Sequence, residues 1–386
     1  MKEKFLRELA DIQTGPFGSQ LHKEDYVADG TPIVTVEHLG NKMFSEQNLP
    51  RVSNTDKNRL KKYVLKQGDI VFSRVGSVDR CSYVDQKHDG WMFSGRCLRV
   101  RPTSEIDSEY LYYYFCLEET KQFVRNIAVG ATMPSINTKL LGEVVVTFPE
   151  LEQQKRISGI LSAIDSKIEV NQKINDNLEQ QAAALFSSLY NRSNTEVRYT
   201  DLIQILGGGT PKTGETAYWN GNIAFFTPKD VGTPYTFITE KTITEEGLSH
   251  CNSRLYPVNT VFVTARGTVG KVGLSGVPMA MNQSCYALVG KETHQLLVYF
   301  YTLKAVDRLK HKASGAVFDA ITTRDFDSEQ IMKLSDDDAK AFLCVAEPMF
   351  QEILNNSIEN LRLSTLRDFL LPKLMSGEIG VSSVQL

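Results

Sequence analysis

Two short polar loops carry the side chains best suited to meet an anion or the edge of a base. They are Ser73-Arg74-Val75-Gly76-Ser77 and, 191 residues later, Thr264-Ala265-Arg266-Gly267-Thr268-Val269-Gly270-Lys271. Each combines a cation, hydroxyls and glycine. Glycine lets a backbone amide approach a phosphate, and arginine can donate two hydrogen bonds to guanine. Arg74, Ser77, Arg266, Thr268 and Lys271 are therefore candidate contacts. A second pair, Asn137-Thr138-Lys139 and Thr322-Thr323-Arg324, has an uncharged polar stretch ending in a cation, which adds Asn137, Lys139 and Arg324. Asn282, in Met281-Asn282-Gln283-Ser284, has an amide of the kind that suits adenine. The alternative for every one of these residues is a structural turn with a solvated side chain. Tyr110, Tyr112, Tyr113, Tyr114 and Phe115 could stack on bases, but their helical spacing assigns them to a core.

Bond-making chemistry is harder to place. An adenine methyltransferase needs an Asn/Asp-Pro-Pro-aromatic motif, and the chain has no Pro-Pro. A phosphate-binding P-loop ends in Gly-Lys-Ser/Thr, whereas Gly270-Lys271 is followed by Val272 and has Ala265 at the first glycine position. Gly207-Gly208-Gly209-Thr210-Pro211-Lys212-Thr213 has proline where the last glycine belongs. The six histidines are isolated, and no His-Glu-x-x-His occurs. Neither a catalytic residue nor a metal ligand is expected, and no cofactor is expected to bind this chain.

Composition points the same way. Of 386 residues, 41% are hydrophobic and 23% charged, as in an ordinary packed protein. Cys81, Cys97, Cys116, Cys251, Cys285 and Cys344 are widely separated and form no Cys-x-x-Cys pair, which suits a reducing cytoplasm. No apolar stretch approaches the ~18 residues of a membrane span. The start, Met1-Lys2-Glu3-Lys4-Phe5, lacks the apolar core of a signal peptide. A soluble cytoplasmic protein is expected.

The elements that must position these loops occur twice. Leu9–Gly15 lines up with Leu202–Gly208, and Gly30–Thr35 with Gly221–Phe226. Val71–Val78 matches Phe262–Val269, and Gly130–Thr138 matches Gly315–Thr323. The offset drifts only from 191 at Gly76/Gly267 to 185 at Gly130/Gly315. Short β-branched runs such as Ile33–Val36, Ile70–Phe72, Val144–Val146 and Val261–Val263 read as strands. Helical spacing marks Glu109–Asn126 and Thr293–Lys312. Each copy is an α/β module of roughly 145 residues.

A much longer helical pattern follows each module. From Leu151 to Tyr190 there is no proline and one glycine. Its heptads place Ile157, Ile164, Asn171, Leu178 and Leu185 at a, with Leu161, Ile168, Asn175, Ala182 and Leu189 at d. The second copy places Phe342, Met349, Asn356, Leu363 and Leu370 at a, with Ala346, Ile353, Asn360, Arg367 and Leu374 at d. Helices of about 40 residues run ~60 Å and need a partner for one apolar seam. Packing the two copies antiparallel about a pseudo-dyad would bring Asn171, Asn175, Asn356 and Asn360 together, where paired amides fix the register. The alternative is a ragged seam with these amides in water. Pro348 removes a backbone donor, so a kink or fresh start is expected near Glu347.

The whole chain resembles the specificity subunit of type I restriction–modification enzymes. The resemblance rests on Asp69–Val78, Gly130–Asn137, Leu151-Glu152-Gln153-Gln154-Lys155-Arg156-Ile157 and the tail Leu361–Ile379. It implies two pseudo-symmetric α/β target recognition modules (1–147 and 193–335) and two long helices (148–192, and 336–386 with its tail) packed as an antiparallel coiled coil. By the same resemblance each module reads half of a split double-stranded DNA site. The helices set the gap and dock two methyltransferase subunits, and restriction/translocase subunits complete the enzyme. S-adenosylmethionine, ATP and Mg would belong to those partners. The rival from another class is a non-catalytic interaction scaffold whose modules bind protein.

Two departures stand out. Asp79 occupies the place of Gly270, setting a carboxylate beside the first loop where it would weaken phosphate contact. Asp336-Asp337-Asp338 replaces Glu150-Leu151-Glu152, so the second helix should start differently. Charge is nearly balanced: 20 basic and 19 acidic residues in 1–147, 14 and 13 in 193–335. DNA affinity grows with the phosphates neutralised, so binding by this chain alone should be weak and should rely on partner subunits.

Overall fold

The computed structural model describes residues 1–40, 42–232, 234–312 and 320–381. The stretch Gly315–Asp319, half of one repeat match, lies outside the described residues, as does the end of the tail after 381. The chain divides into two units, Met1–Glu169 with Leu361–Leu386, and Val170–Asn360.

In the first unit the main sheet is antiparallel, in the order Ala10–Thr14, Cys97–Pro102, Ile70–Ser73, Cys81–Tyr83. In the second the order is Ile203–Gly207, Cys285–Gly290, Val261–Thr264, Val272–Ser275, with Tyr235–Thr236 added in parallel. A smaller sheet accompanies each, containing one parallel pair, Thr31–Val34 with Met92–Phe93 or Trp219–Phe226 with Met279–Met281. The opening strand of each module, Lys2–Phe5 or Thr195–Arg198, pairs with the last strand before the long helix, Val145–Phe148 or Gln330–Lys333. Each module is thus a mixed α/β fold with mainly antiparallel sheets.

The helix expected over Glu109–Asn126 is two helices, Ser108–Cys116 and Glu118–Ile127, because Leu117 takes an extended conformation. Its counterpart is one helix, Gln295–Lys312. Tyr110, Tyr112, Tyr113 and Phe115 are buried, as expected of core residues.

Two long helices, Leu151–Arg192 and Asp336–Ser376, complete the units. No fresh start occurs at Pro348. The second helix continues through it, since Pro348 and Cys344, whose carbonyl loses its donor, both face solvent where water can serve that carbonyl. The starts do differ. Gln154 is buried at the first, its amide donating to Pro149 O (2.9 Å) and its oxygen accepting from Asp107 N (2.8 Å). At the second, Ser335 Oγ accepts from Asp338 N (3.1 Å), and the acidic run suits the positive end of the helix.

The helices pair antiparallel. In the second unit Arg192 meets Asp338 at 2.8 Å at one end, and Asn171 meets Asn360 at the other. In the first, Ile157, Leu161 and Ile164 share a core with Leu370 and Leu374. Each module packs on the head of its own helix and the tail of the other: Ile157, Leu161 and Leu374 in one unit, Phe342, Ala346 and Leu189 in the other. Those residues are repeat equivalents, 185 apart. Among the described residues, no helix is long and apolar enough to cross a membrane.

Candidate nucleic-acid interface

Loops far apart in sequence meet at one end of each main sheet. In the first module Ile136 N donates to Arg74 O at 2.9 Å, and Arg74 N donates to Arg96 O at 2.8 Å. In the second, Ile321 N donates to Ala265 O at 2.9 Å, and Ala265 N donates to Ser284 O at 2.8 Å. An isolated bridge joins Val75 to Ser135 and, equivalently, Arg266 to Ala320. Three of the polar stretches singled out in the second module, around Arg266, Asn282 and Arg324, therefore form one corner, and their counterparts form the same corner in the first. Gly76 (φ +74°) and Gly267 (φ +81°) make the left-handed turn that exposes each loop tip.

The candidate residues divide by what their side chains already do. Asn137 caps the helix Thr138–Leu141, its oxygen accepting from Leu140 N at 2.9 Å. Thr322 does the same for Thr323–Ser328 with Asp325. The matching polar stretches are thus helix caps, and Lys139 and Arg324 project, exposed, from the first turns. Asn282 folds back to accept from Ser284 N (3.0 Å), and Thr268 Oγ1 donates to Pro228 O (3.0 Å). Arg74 is half-buried, donating to Gly95 O at 3.1 Å with its guanidinium over the Phe17 ring. Ser77, Arg266 and Lys271 are exposed, with no side-chain partner among the described residues.

Asp79 is not a bare carboxylate. Arg125 Nη1 meets its Oδ2 at 2.6 Å, and the other end of that guanidinium binds Glu118. Hydrogen bonds to Glu118 and Asp79 hold the Arg125 guanidinium above its ordinary pKa. Two exposed apolar residues at the first corner, Phe17 and Met133, escaped sequence reasoning. Exposure of an apolar side chain leaves no periodic signal.

The four seam asparagines do meet. Asn171 Nδ2 donates to Asn360 Oδ1 at 2.9 Å and to Glu359 Oε2 at 2.7 Å. Asn356 Nδ2 donates to Asn175 Oδ1 at 3.0 Å, and Asn175 Nδ2 donates to Ser357 Oγ at 3.3 Å. Asn171 and Asn356 are buried.

The family model described as type I restriction modification DNA specificity domain matches twice, over residues 1–180 and 191–333. The type I restriction enzyme HindI specificity subunit of Haemophilus influenzae is 25% identical, over 82% of this chain and 88% of its own length. The MjaIX specificity subunit of Methanocaldococcus jannaschii is 24% identical, over 74% and 72%. Among solved structures, the type I restriction–modification S subunit from M. genitalium shares the fold, with a TM-score of 0.60 at 16% identity, over 97% of this chain and 95% of that one. With two family domains covering most of its length, this chain belongs to the type I restriction–modification specificity family.

Proposed function

We propose that the chain is the DNA-reading subunit of a type I restriction–modification enzyme, each module reading one half of a split, asymmetric site. The supporting observation is the corner built twice on equivalent backbone hydrogen bonds while its side chains differ. Arg74 becomes Ala265, Val75 becomes Arg266, and Asp79 becomes Gly270. A shared frame with different reading groups is what two unlike half-sites require.

Arg266, Lys271, Arg324, Lys139 and Ser77 have exposed side chains that can reach DNA, and Arg74 would act from its place over Phe17. Asn137, Asn282 and Thr268 support these loops and would contact DNA through the groups they leave unused. The paired asparagines hold the helix register, and through it the gap between half-sites. Methyltransferase and restriction subunits dock on this frame in the cytoplasm and bring S-adenosylmethionine, ATP and Mg. The chemistry is theirs.

The test is co-expression with the cognate methyltransferase subunits and mapping of the methylated motif. One split motif should appear only when this chain is present. Exchanging residues 1–147 for another family module should change one half of it. A motif altered in both halves, or in neither, overturns the two-reader assignment.

A further inference from the structure

The corner equivalences also locate a cation that no loop motif reveals. Lys310, on the helix Gln295–Lys312, lies beside Gly270. A Cβ added to Gly270 would fall 2.5 Å from Lys310 Cε and 3.1 Å from Val306 Cγ1. Gly270 has φ +73°, so the turn needs glycine there, and a Cβ would push the end of the lysine side chain aside. Lys310 is exposed, and its ammonium has no carboxylate partner among the described residues. The carboxylate three residues before it, Asp307, faces His311 at 3.6 Å. Lys271, next in sequence to Gly270, is exposed as well.

The offset of 185 places Lys310 opposite Arg125 and Leu303 opposite Glu118, and that of 191 places Gly270 opposite Asp79. In the first module the cation is occupied on both sides by the module's own carboxylates. In the second both carboxylates are gone, one replaced by the glycine on which the lysine lies. The same backbone therefore offers a self-neutralised cation in one copy and an available one in the other.

We infer that Lys310, seated over Gly270 beside Lys271, is a DNA-phosphate contact of the second module, and that its counterpart Arg125 makes none. The two modules thus hold the duplex with unequal electrostatic strength, the second as the backbone anchor. This rests on the DNA-reading function proposed above. Each phosphate neutralised contributes about 0.9 to the slope of log affinity against log salt. Losing one contact should therefore shrink the affinity lost between about 50 and 200 mM salt roughly threefold.

The assembled complex of this chain with its methyltransferase subunits would be titrated with a labelled duplex carrying the motif that the complex methylates. Lys310→Gln should weaken binding and lower the salt slope by about one, with the methylated motif unchanged. Arg125→Gln should leave the slope alone. Asp79→Asn with Glu118→Gln, which frees Arg125, should raise it by about one. An unchanged slope for Lys310→Gln, with normal binding by the parent complex, overturns the inference and leaves the reading function standing. No methylated motif and no duplex binding by the parent complex would instead remove the reading function itself.

Discussion

Both joints between module and helix pair have an apolar core, but at one repeat-equivalent place the chemistry is opposite. In the first unit it is polar: Tyr113 donates to Asp165 Oδ2 at 2.6 Å, and Arg367 Nη1 meets Asp165 Oδ1 at 2.8 Å. Lys42 adds bonds to Glu109 (2.8 Å), Ser162 (2.9 Å) and Tyr113 (3.1 Å). In the second unit the residues equivalent to Asp165 and Arg367 are Phe350 and Ala182. There Phe186 lies 5.1 Å from Phe300 and 5.5 Å from Phe342, with Tyr299 and Phe350 extending the cluster. One backbone solution thus tolerates an ion pair or an aromatic stack at the same place. The geometry of the joint, rather than either chemistry, is what the two copies share.

The aromatic joint should be the more costly to open. Phe342 is fully buried and touches Phe186 and Phe300. Phe342→Ala removes those ring contacts and leaves a cavity, an expected loss of about 3–5 kcal/mol. Ile157→Ala, at the equivalent buried site, has less to lose, and about 2–3 kcal/mol is expected. Denaturant midpoints of the two variants decide the point. If Ile157→Ala costs as much as Phe342→Ala, the aromatic cluster contributes nothing beyond its area.

The polar joint should fail differently. The Asp165 side chain is 13% exposed and that of Arg367 31%. Arg367→Ala strands a largely buried carboxylate, with an expected cost of about 2–3 kcal/mol after allowing for the partial exposure of the arginine. Installing the second unit's pair, Asp165→Phe with Arg367→Ala, should recover much of that loss. A double variant as unstable as the single one would show that the surrounding Lys42–Glu109 network, and not the pair, sets the chemistry of this joint.

What the sequence made legible follows from this contrast. Features with a period were readable: the duplication, the two long helices, and the asparagines at matching a and d positions that meet in space. The Arg367–Asp165 pair left no signal, because Arg367 stands at a d position while Asp165 lies outside the a and d positions. The capping roles of Asn137 and Thr322 could not be told from sequence, because capping uses the same residue types as nucleic-acid contact. Leu117 carries no breaker residue, so the interruption between Cys116 and Glu118 left no mark. Lys310 became meaningful only when folding put it over Gly270, since pairing across about 40 residues of sequence has no local signal.

The smallest expected effect tests how each joint treats its carboxylate. Tyr299 donates to Glu179 Oε1 at 3.1 Å, as Tyr113 donates to Asp165, but among the described residues Glu179 has no arginine partner like Arg367. Burial raises the pKa of Glu179, the Tyr299 hydrogen bond works against the shift, and nearby Asp176 adds to it. A carboxyl raised in the folded state binds its proton more tightly there than in the unfolded chain. Its contribution is therefore full below the ordinary glutamate pKa and is lost as pH rises through the folded value. Near neutrality the ionised group works against folding. Glu179→Gln keeps an acceptor for Tyr299 and removes the titration, so Tm should rise slightly at about pH 7 and stay level near pH 4. A variant whose Tm falls at neutral pH would show that the charge of Glu179 is satisfied, and that the second joint has a cation of its own.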